Sequence, residues 1–237
     1  MVDRVITVFG ASGRQGLAQI RQLRLHGYSV RAASRSPQRF AGPEFDGVTG
    51  VKADYNDYDS LVSACAGAVG VFFSHPMFED SLNVHNHIAR LSRAVLATGV
   101  RRLVYNTSSW VPDEPCGNLA YDTNLMRENL FAEAGVPLTI IRPVLFMDNL
   151  LTNWVKPALV NEGVYRYPHE ATMGANWICL DDVAKFMIAA FEQEEMKNRR
   201  IVIGGPELLL PEQVAATLSD RKSTRLNSSH SSVSRMP

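Results

Sequence analysis

The sequence predicts an α/β protein: a doubly wound parallel sheet with helices on both faces, followed by a small C-terminal substrate lobe. Three observations carry that prediction. Strand-like and helix-like segments alternate along the chain, the pattern of strand–helix–strand units and hence of a parallel sheet. An apolar, β-branched run, Val5-Ile6-Thr7-Val8-Phe9, passes directly into Gly10-Ala11-Ser12-Gly13-Arg14-Gln15-Gly16 and then into an amphipathic segment with Leu17, Ile20, Leu23 and Leu25. The length, 237 residues, suits one such domain with an appendage and is short for two.

The later elements follow in order. Strands are expected at Tyr28–Ala33, Val48–Ala53, from Gly67 to Phe73, Arg102–Asn106 and Pro137–Arg142, with a late strand at Ile201-Val202-Ile203. Helices are expected at Asp57–Cys65, at Glu79–Thr98 closed by Gly99, at Asn124–Ala134 closed by Gly135, and at Pro211–Leu218. Leu150 to Ala175 breaks both periodicities with aromatics and prolines, as segments inserted beyond strand ends do when they build a pocket. The expected organisation is a coenzyme-binding domain over 1–219, its small lobe formed by about 150–180 and 205–219. From Asp220 the chain reads DRKSTRLNSSHSSVSRMP, serine-rich and without period. Residues 220–237 are therefore a disordered tail or a non-native one, since 220–230 resembles translated sequencing-library adapter. On the second alternative the lobe is truncated and the native chain continues past Ser219.

Composition excludes several classes. Lys and Arg balance Asp and Glu at 24 each, and the tail holds four bases, Arg221, Lys222, Arg225 and Arg235, against one acid. Direct nucleic-acid binding is not expected from such a surface. No long apolar run predicts a membrane span, and no signal peptide is seen, so a cytoplasmic protein is expected. Cys65, Cys116 and Cys179 are odd in number and lack metal-ligand spacing, so reduced thiols and no metal site are expected.

The glycine turn is the chemical signal. Between a strand and a helix start, it offers backbone N–H groups and a positive helix end to a pyrophosphate. Gly10 permits the turn, Gly13 the approach of phosphate and Gly16 close packing of helix on strand, with Ser12, Arg14 and Gln15 around them. The second strand ends at Ser34-Arg35, where an NAD-selective site places an acid to hold the ribose hydroxyl. A guanidinium there suits a 2′-phosphate instead, so NADP(H) is expected in preference to NAD(H), with Arg35 as main contact and Arg14 as second. Asp54 ends the third strand, where it either accepts from the adenine amino group or caps the next helix. Phe73, Ser74 and His75 end the fourth strand beside the expected nicotinamide ribose.

These residues, joined to Val104-Tyr105-Asn106-Thr107-Ser108-Ser109 and Gly135-Val136-Pro137-Leu138-Thr139-Ile140-Ile141-Arg142-Pro143, resemble the NmrA-like branch of the atypical short-chain dehydrogenases/reductases. Phe146-Met147-Asp148-Asn149-Leu150, the segment from Trp177 to Ala184, and Gly204-Gly205-Pro206-Glu207 with Pro211-Glu212-Gln213-Val214-Ala215 extend the resemblance to Ser219. It implies a Rossmann core, NAD(P) binding, and contacts from Asn106 and Pro143. Family members reduce quinones, dyes or carbonyls, and others bind the coenzyme as sensors without turnover.

The proton-donating dyad of the wider superfamily, Tyr-x-x-x-Lys, is absent. Counting back from Gly135, its lysine position falls on Asn124 and its tyrosine position on Ala120, so Tyr121 stands one residue out of register. Candidate polar groups for chemistry are Ser109, Tyr121 and Asn124, with Ser108 beside them. Arg127 reads as a fixed charge on a helix, and Phe146, Trp154, Tyr165, Tyr167 and Trp177 as pocket walls or lobe core. The expected function is NADPH-dependent reduction of a quinone-like, dye-like or otherwise conjugated small molecule by hydride transfer. The alternatives are a coenzyme-binding sensor and a sugar-nucleotide epimerase; the sequence does not give the oligomeric state.

Overall fold

A computed structural model describes residues 4–75, 81–220 and 227–228. Along the chain run β1 (Val5–Phe9), α1 (Arg14–Leu25), β2 (Ser29–Ser34), β3 (Val48–Lys52), α2 (Tyr58–Cys65), β4 (Gly70–Ser74), α3 (Ser81–Ala97) and β5 (Arg102–Asn106). Then come α4 (Leu119–Glu133), β6 (Leu138–Pro143), β7 (Leu145–Phe146), β8 (Val164–Tyr165), β9 (Ala175–Ile178), α5 (Leu180–Glu192), β10 (Arg200–Ile203), β11 (Leu208–Leu209) and α6 (Pro211–Asp220). A final β12 (Asn227–Ser228) pairs in parallel with β8. The expected start of the long helix at Glu79, and the other residues of the tail beyond Asp220, lie outside the described residues.

The chain divides into two compact units, one of 1–143 with 180–203 and one of 144–179 with 204–237. The first holds a seven-stranded parallel sheet in the order β10-β6-β5-β4-β1-β2-β3. The order reverses between β1 and β4, and at such a reversal the carboxyl ends of the strands leave a crevice. Helices α1 and α5 pack together, and α2, α3 and α4 pack in a row. Strand residues alternate between the two layers. Phe9, Val71, Phe73, Leu103 and Tyr105 join the core of α2, α3 and α4 with Leu61, Val84, Leu91 and Phe131. Phe72 instead meets Phe191 of α5, ring centroids 6.1 Å apart. Both faces are buried, which is why these strands read as continuous apolar runs.

The second unit has its own sheet, β11-β9-β7, antiparallel between β11 and β9 and parallel between β9 and β7. Its core is Val155, Leu159, Tyr165, Ala175, Trp177, Val214 and Ala215.

The short strands β7, β8, β9 and β11 were not expected, and two helices differ from the sequence expectation. Helix α4 starts at Leu119, capped by Asn118, whose side chain accepts from the N–H groups of Ala120 and Tyr121. Its inward face carries Thr123, Asn124, Arg127 and Glu128, so no apolar stripe marks its first turns. Helix α5 was not expected as a helix, although its buried residues Leu180, Val183, Ala184, Met187, Ile188 and Phe191 keep helical spacing.

Candidate functional site

The turn after β1 shows why its glycines are glycines. Gly10 has φ +73°, and a Cβ there would lie 2.6 Å from the carbonyl oxygen of Ser74, at the end of the neighbouring β4. A Cβ on Gly16 would lie 2.3 Å from the Gly10 oxygen, so the helix can approach the turn only without a side chain. Gly13 is different: its backbone is extended, φ −82° and ψ 164°, and the one neighbour of an added Cβ is the Gly10 oxygen at 3.4 Å. Steric fit within the protein does not demand that glycine. It leaves open space over the first turn of α1, which has no side-chain cap and no acidic residue. A helix N-terminus with no side-chain cap and no acidic residue fits a pyrophosphate. Ser12, Gly13 and Arg14 are exposed around that space, and Gln15 is half-buried.

The expected contacts sit at the carboxyl ends of the sheet. Ser34 ends β2, its hydroxyl accepting from the Ser36 N–H at 3.1 Å, and Arg35 beyond it is exposed. Asp54 does not cap α2: its carboxylate accepts from the Asn56 N–H at 2.9 Å, while Asp57 caps the helix through the Ser60 N–H at 3.2 Å. Phe73 is fully buried among core rings, so its side chain belongs to the core. Ser74 and His75 are buried at the end of β4, and Pro143 ends β6. The His75 ring packs on Tyr55 and Phe73, and its Nδ1 lies 3.4 Å from Nη2 of Arg127.

A polar lattice joins the glycine turn to β5. Asn106 donates from Nδ2 to Gln15 Oε1 at 2.7 Å, and Gln15 Nε2 donates to Ser108 Oγ at 2.9 Å. Ser108 has φ 65°, a left-handed conformation that its N–H holds by donating to Asn106 Oδ1 at 2.9 Å. Next to it, Asn124 of α4 donates from Nδ2 to the Thr107 carbonyl at 2.9 Å and to Ser109 Oγ at 3.0 Å. Its Oδ1 accepts from Tyr105 at 3.1 Å and from Arg127 Nη1 at 2.8 Å. Burial holds the Tyr105 phenol well above its ordinary range, so it stays a protonated donor. The structure thus brings Ser109 and Asn124 together. Tyr121 is half-buried and packs edge-on against Trp110, centroids 5.8 Å apart.

The second unit contains a cavity of about 430 Å³ lined by Met147, Leu150, Leu151, Leu159, Val160 and Leu218, with Asp148, Lys156 and Cys179. Its walls are aliphatic. Of the aromatic candidates, Tyr165 and Trp177 are core residues with Tyr167 against them, and Trp154 leans on Tyr167 at 5.2 Å. Asn149 donates from Nδ2 to the Tyr167 hydroxyl at 2.9 Å.

A model of the NmrA-like family matches residues 2–234. The chain belongs to the NmrA-like family. It is 33% identical over 222 residues to the (4-alkanoyl-5-oxo-2,5-dihydrofuran-3-yl)methyl phosphate reductase of Streptomyces griseus subsp. griseus, covering 91% of this chain and 73% of that one. It is 26% identical to the NAD(P)H azoreductase of Xenophilus azovorans, with coverages of 91% and 73%. Among solved structures, the Citrobacter sp. triphenylmethane reductase complexed with NADP(H) superposes with a TM-score of 0.82 at 20% identity, covering 96% of this chain and 79% of that one. The fold is therefore the Rossmann-type α/β fold of these reductases. Among the described residues no helix is long and apolar enough to cross a membrane.

Within this NmrA-like chain, the sequence marked Arg127 only as a fixed charge on a helix and gave Trp110 no role. Arg127 is fully buried, although an arginine on a helix reads by default as solvated charge. The available signal was its spacing, one turn after Asn124 on the same face.

Proposed function

We propose that this chain is an NADPH-dependent reductase of a conjugated small-molecule acceptor. The observation that carries the coenzyme half is the open space over Gly13, at an uncapped helix N-terminus with Arg14 exposed beside it. The turn and the first N–H groups of α1 would hold the pyrophosphate. Arg35, with Arg14, would hold the 2′-phosphate, since the end of β2 carries no acid to repel it. Ser12, Gln15, Ser34, Asp54, Ser74, His75, Asn106 and Pro143 complete the proposed coenzyme-binding set, with Phe73 contributing backbone only. When bound, NADPH supplies a hydride at its nicotinamide.

The acceptor half is supported by the chemistry named for the relatives. The Streptomyces protein is a reductase named for a dihydrofuranone ring bearing an acyl group, and the Xenophilus protein is an azoreductase. Both names describe extended π systems in which incoming negative charge delocalises. Such acceptors place less demand on a proton donor than an isolated ketone does, in keeping with Ala120 and Asn124 at the dyad positions.

The test is a panel of quinones, azo dyes and acylated unsaturated lactones mixed with NADPH and the purified protein, followed by loss of NADPH absorbance. Oxidation above background with at least one class is expected. NADPH binding without oxidation across the panel favours the sensor alternative; no NADPH binding removes the proposal altogether.

A further inference from the structure

Helix α4 buries a cation where the dyad lysine is missing. Arg127 is 0% exposed, and the partners of its guanidinium include the neutral Asn124 amide at 2.8 Å and the His75 ring at 3.4 Å. Placing a charge in a core is costly unless its interactions recover the lost hydration. One of those interactions is the hydrogen bond from Arg127 Nη1 to the Asn124 amide oxygen.

The orientation of Asn124 follows from its neighbours. Arg127 can only donate, so the amide oxygen must face it, and the Thr107 carbonyl can only accept, so the amide nitrogen must face β5. Tyr105, kept protonated, donates to the same oxygen at 3.1 Å. The remaining N–H of Asn124 points at Ser109 Oγ, 3.0 Å away. The Ser109 backbone is fixed too, its carbonyl accepting from Thr107 Oγ1 at 2.6 Å. Ser109 itself is half-buried at the carboxyl end of β5, and its hydroxyl donates locally to the Trp110 carbonyl at 3.1 Å.

We infer that Arg127 and Asn124 form a relay that polarises the Ser109 hydroxyl, and that Ser109 is the hydrogen-bond donor to the oxygen of a conjugated carbonyl acceptor. The inference rests on the reductase proposal and deepens it. A guanidinium on the amide oxygen makes the amide N–H a stronger donor. That N–H occupies a serine lone pair, and the O–H, which donates to the Trp110 carbonyl in this structure, would exchange that exposed local partner for the acceptor oxygen. In the reaction, NADPH, when bound, would supply the hydride for a C–H bond at the electron-poor carbon of the acceptor and leave as NADP⁺. The C=C π pair moves into the bond beside the carbonyl carbon, the C=O π pair moves onto the oxygen, and one proton from water completes the product. Ser109 stabilises the oxygen's charge by donating a hydrogen bond and keeps its own proton. Asn124 and Arg127 are positioning residues; they act only through Ser109.

Two measurements on the full chain test this. In equilibrium binding, 4-nitrophenolate is compared with 4-nitroanisole, which has the same ring and no oxyanion. Ser109→Ala and Arg127→Met are each expected to weaken the phenolate at least about tenfold and the anisole by less than about twofold. Arg127→Lys, which keeps the charge, is expected to restore part of the difference. In turnover with a conjugated carbonyl acceptor, Ser109→Ala is expected to lower kcat by about tenfold to a hundredfold with KM for NADPH unchanged. If Arg127→Met does not fold, Ser109→Ala at its half-buried position carries the test alone. Equal losses for phenolate and anisole, or full kcat in Ser109→Ala, overturn the relay. Absence of turnover by the unmodified protein, with phenolate preference intact, overturns the reductase proposal but leaves the donor site standing.

Discussion

Gly13 and Gly16 lie one turn apart, yet a methyl group added to each meets different surroundings. On Gly16 it would stand 2.3 Å from the Gly10 oxygen and 2.6 Å from the Ala11 Cα, both backbone atoms that cannot step aside. Gly16→Ala is expected to destabilise the protein by about 1–3 kcal/mol, read as a lower urea midpoint. Gly13→Ala keeps an extended backbone that any residue adopts, so its folding cost is expected to stay below about 1 kcal/mol, while its methyl fills the proposed phosphate space. NADPH affinity, followed by fluorescence titration, should fall at least about tenfold in Gly13→Ala with the melting temperature nearly unchanged. Unaltered affinity would remove the phosphate cradle. Arg35→Ala asks a narrower question: NADPH affinity should fall by about tenfold or more, the value of one charge-assisted contact, and NADH affinity should not. Equal effects on both coenzymes would show Arg35 to be surface charge.

Helix α4 carries a buried ion pair beside the apolar contacts of Phe131. Glu128 is 0% exposed, and its carboxylate accepts from Arg142 at 2.9 and 2.7 Å and from Arg200 at 2.9 Å, joining α4 to β6 and β10. Glu128→Ala strands the Arg142 guanidinium without its buried partner and is expected to cost about 3–5 kcal/mol in urea unfolding. Replacing both Glu128 and Arg142 by Met should cost clearly less than the two single changes added together. The same polar face explains what the sequence could not show. Strand β1, the glycine turn and α1 were legible because apolar period and glycine spacing are local signals. Asn124 was legible as a departure from a dyad, but its hold on Ser109, and the burial of Arg127, depend on β4 and β5 passing beneath α4. Similarly, Arg102 looked like an ordinary first residue of β5. It is fully buried and donates to the carbonyls of Ala190 and Gln193, capping the end of α5 from 88 positions away in sequence. Long-range capping leaves no local pattern.

Across the molecule, buried titratable groups set a window of pH in which the fold is most stable. In the sheet unit, burial pushes the Cys65 thiol up from 9.0 to about 12. Burial, with the hydrogen bond to Glu192, pushes the Tyr28 phenol up from 10.0 to about 12. A raised value means that the unfolded chain releases the proton first. The stabilisation is therefore complete below about pH 9 and is lost as pH rises towards about 12. Each such group contributes a slope of about 1.4 kcal/mol per pH unit once its unfolded form ionises. On the acid side, burial lowers His169 in the second unit from 6.5, so the unfolded chain takes up that proton first. The stability that His169 contributes is present above pH 6.5 and lost as pH falls below it. Urea midpoints are expected to be flat between about pH 7 and about pH 8.5 and to fall on both sides. Cys65→Ala separates the causes: it offsets the whole curve by a cavity cost independent of pH, and it removes the decline between about pH 9 and about pH 10, before the phenols ionise. A wild-type midpoint that holds steady to about pH 10.5, or an unchanged alkaline slope in Cys65→Ala, would show that the thiol proton is not retained by the fold.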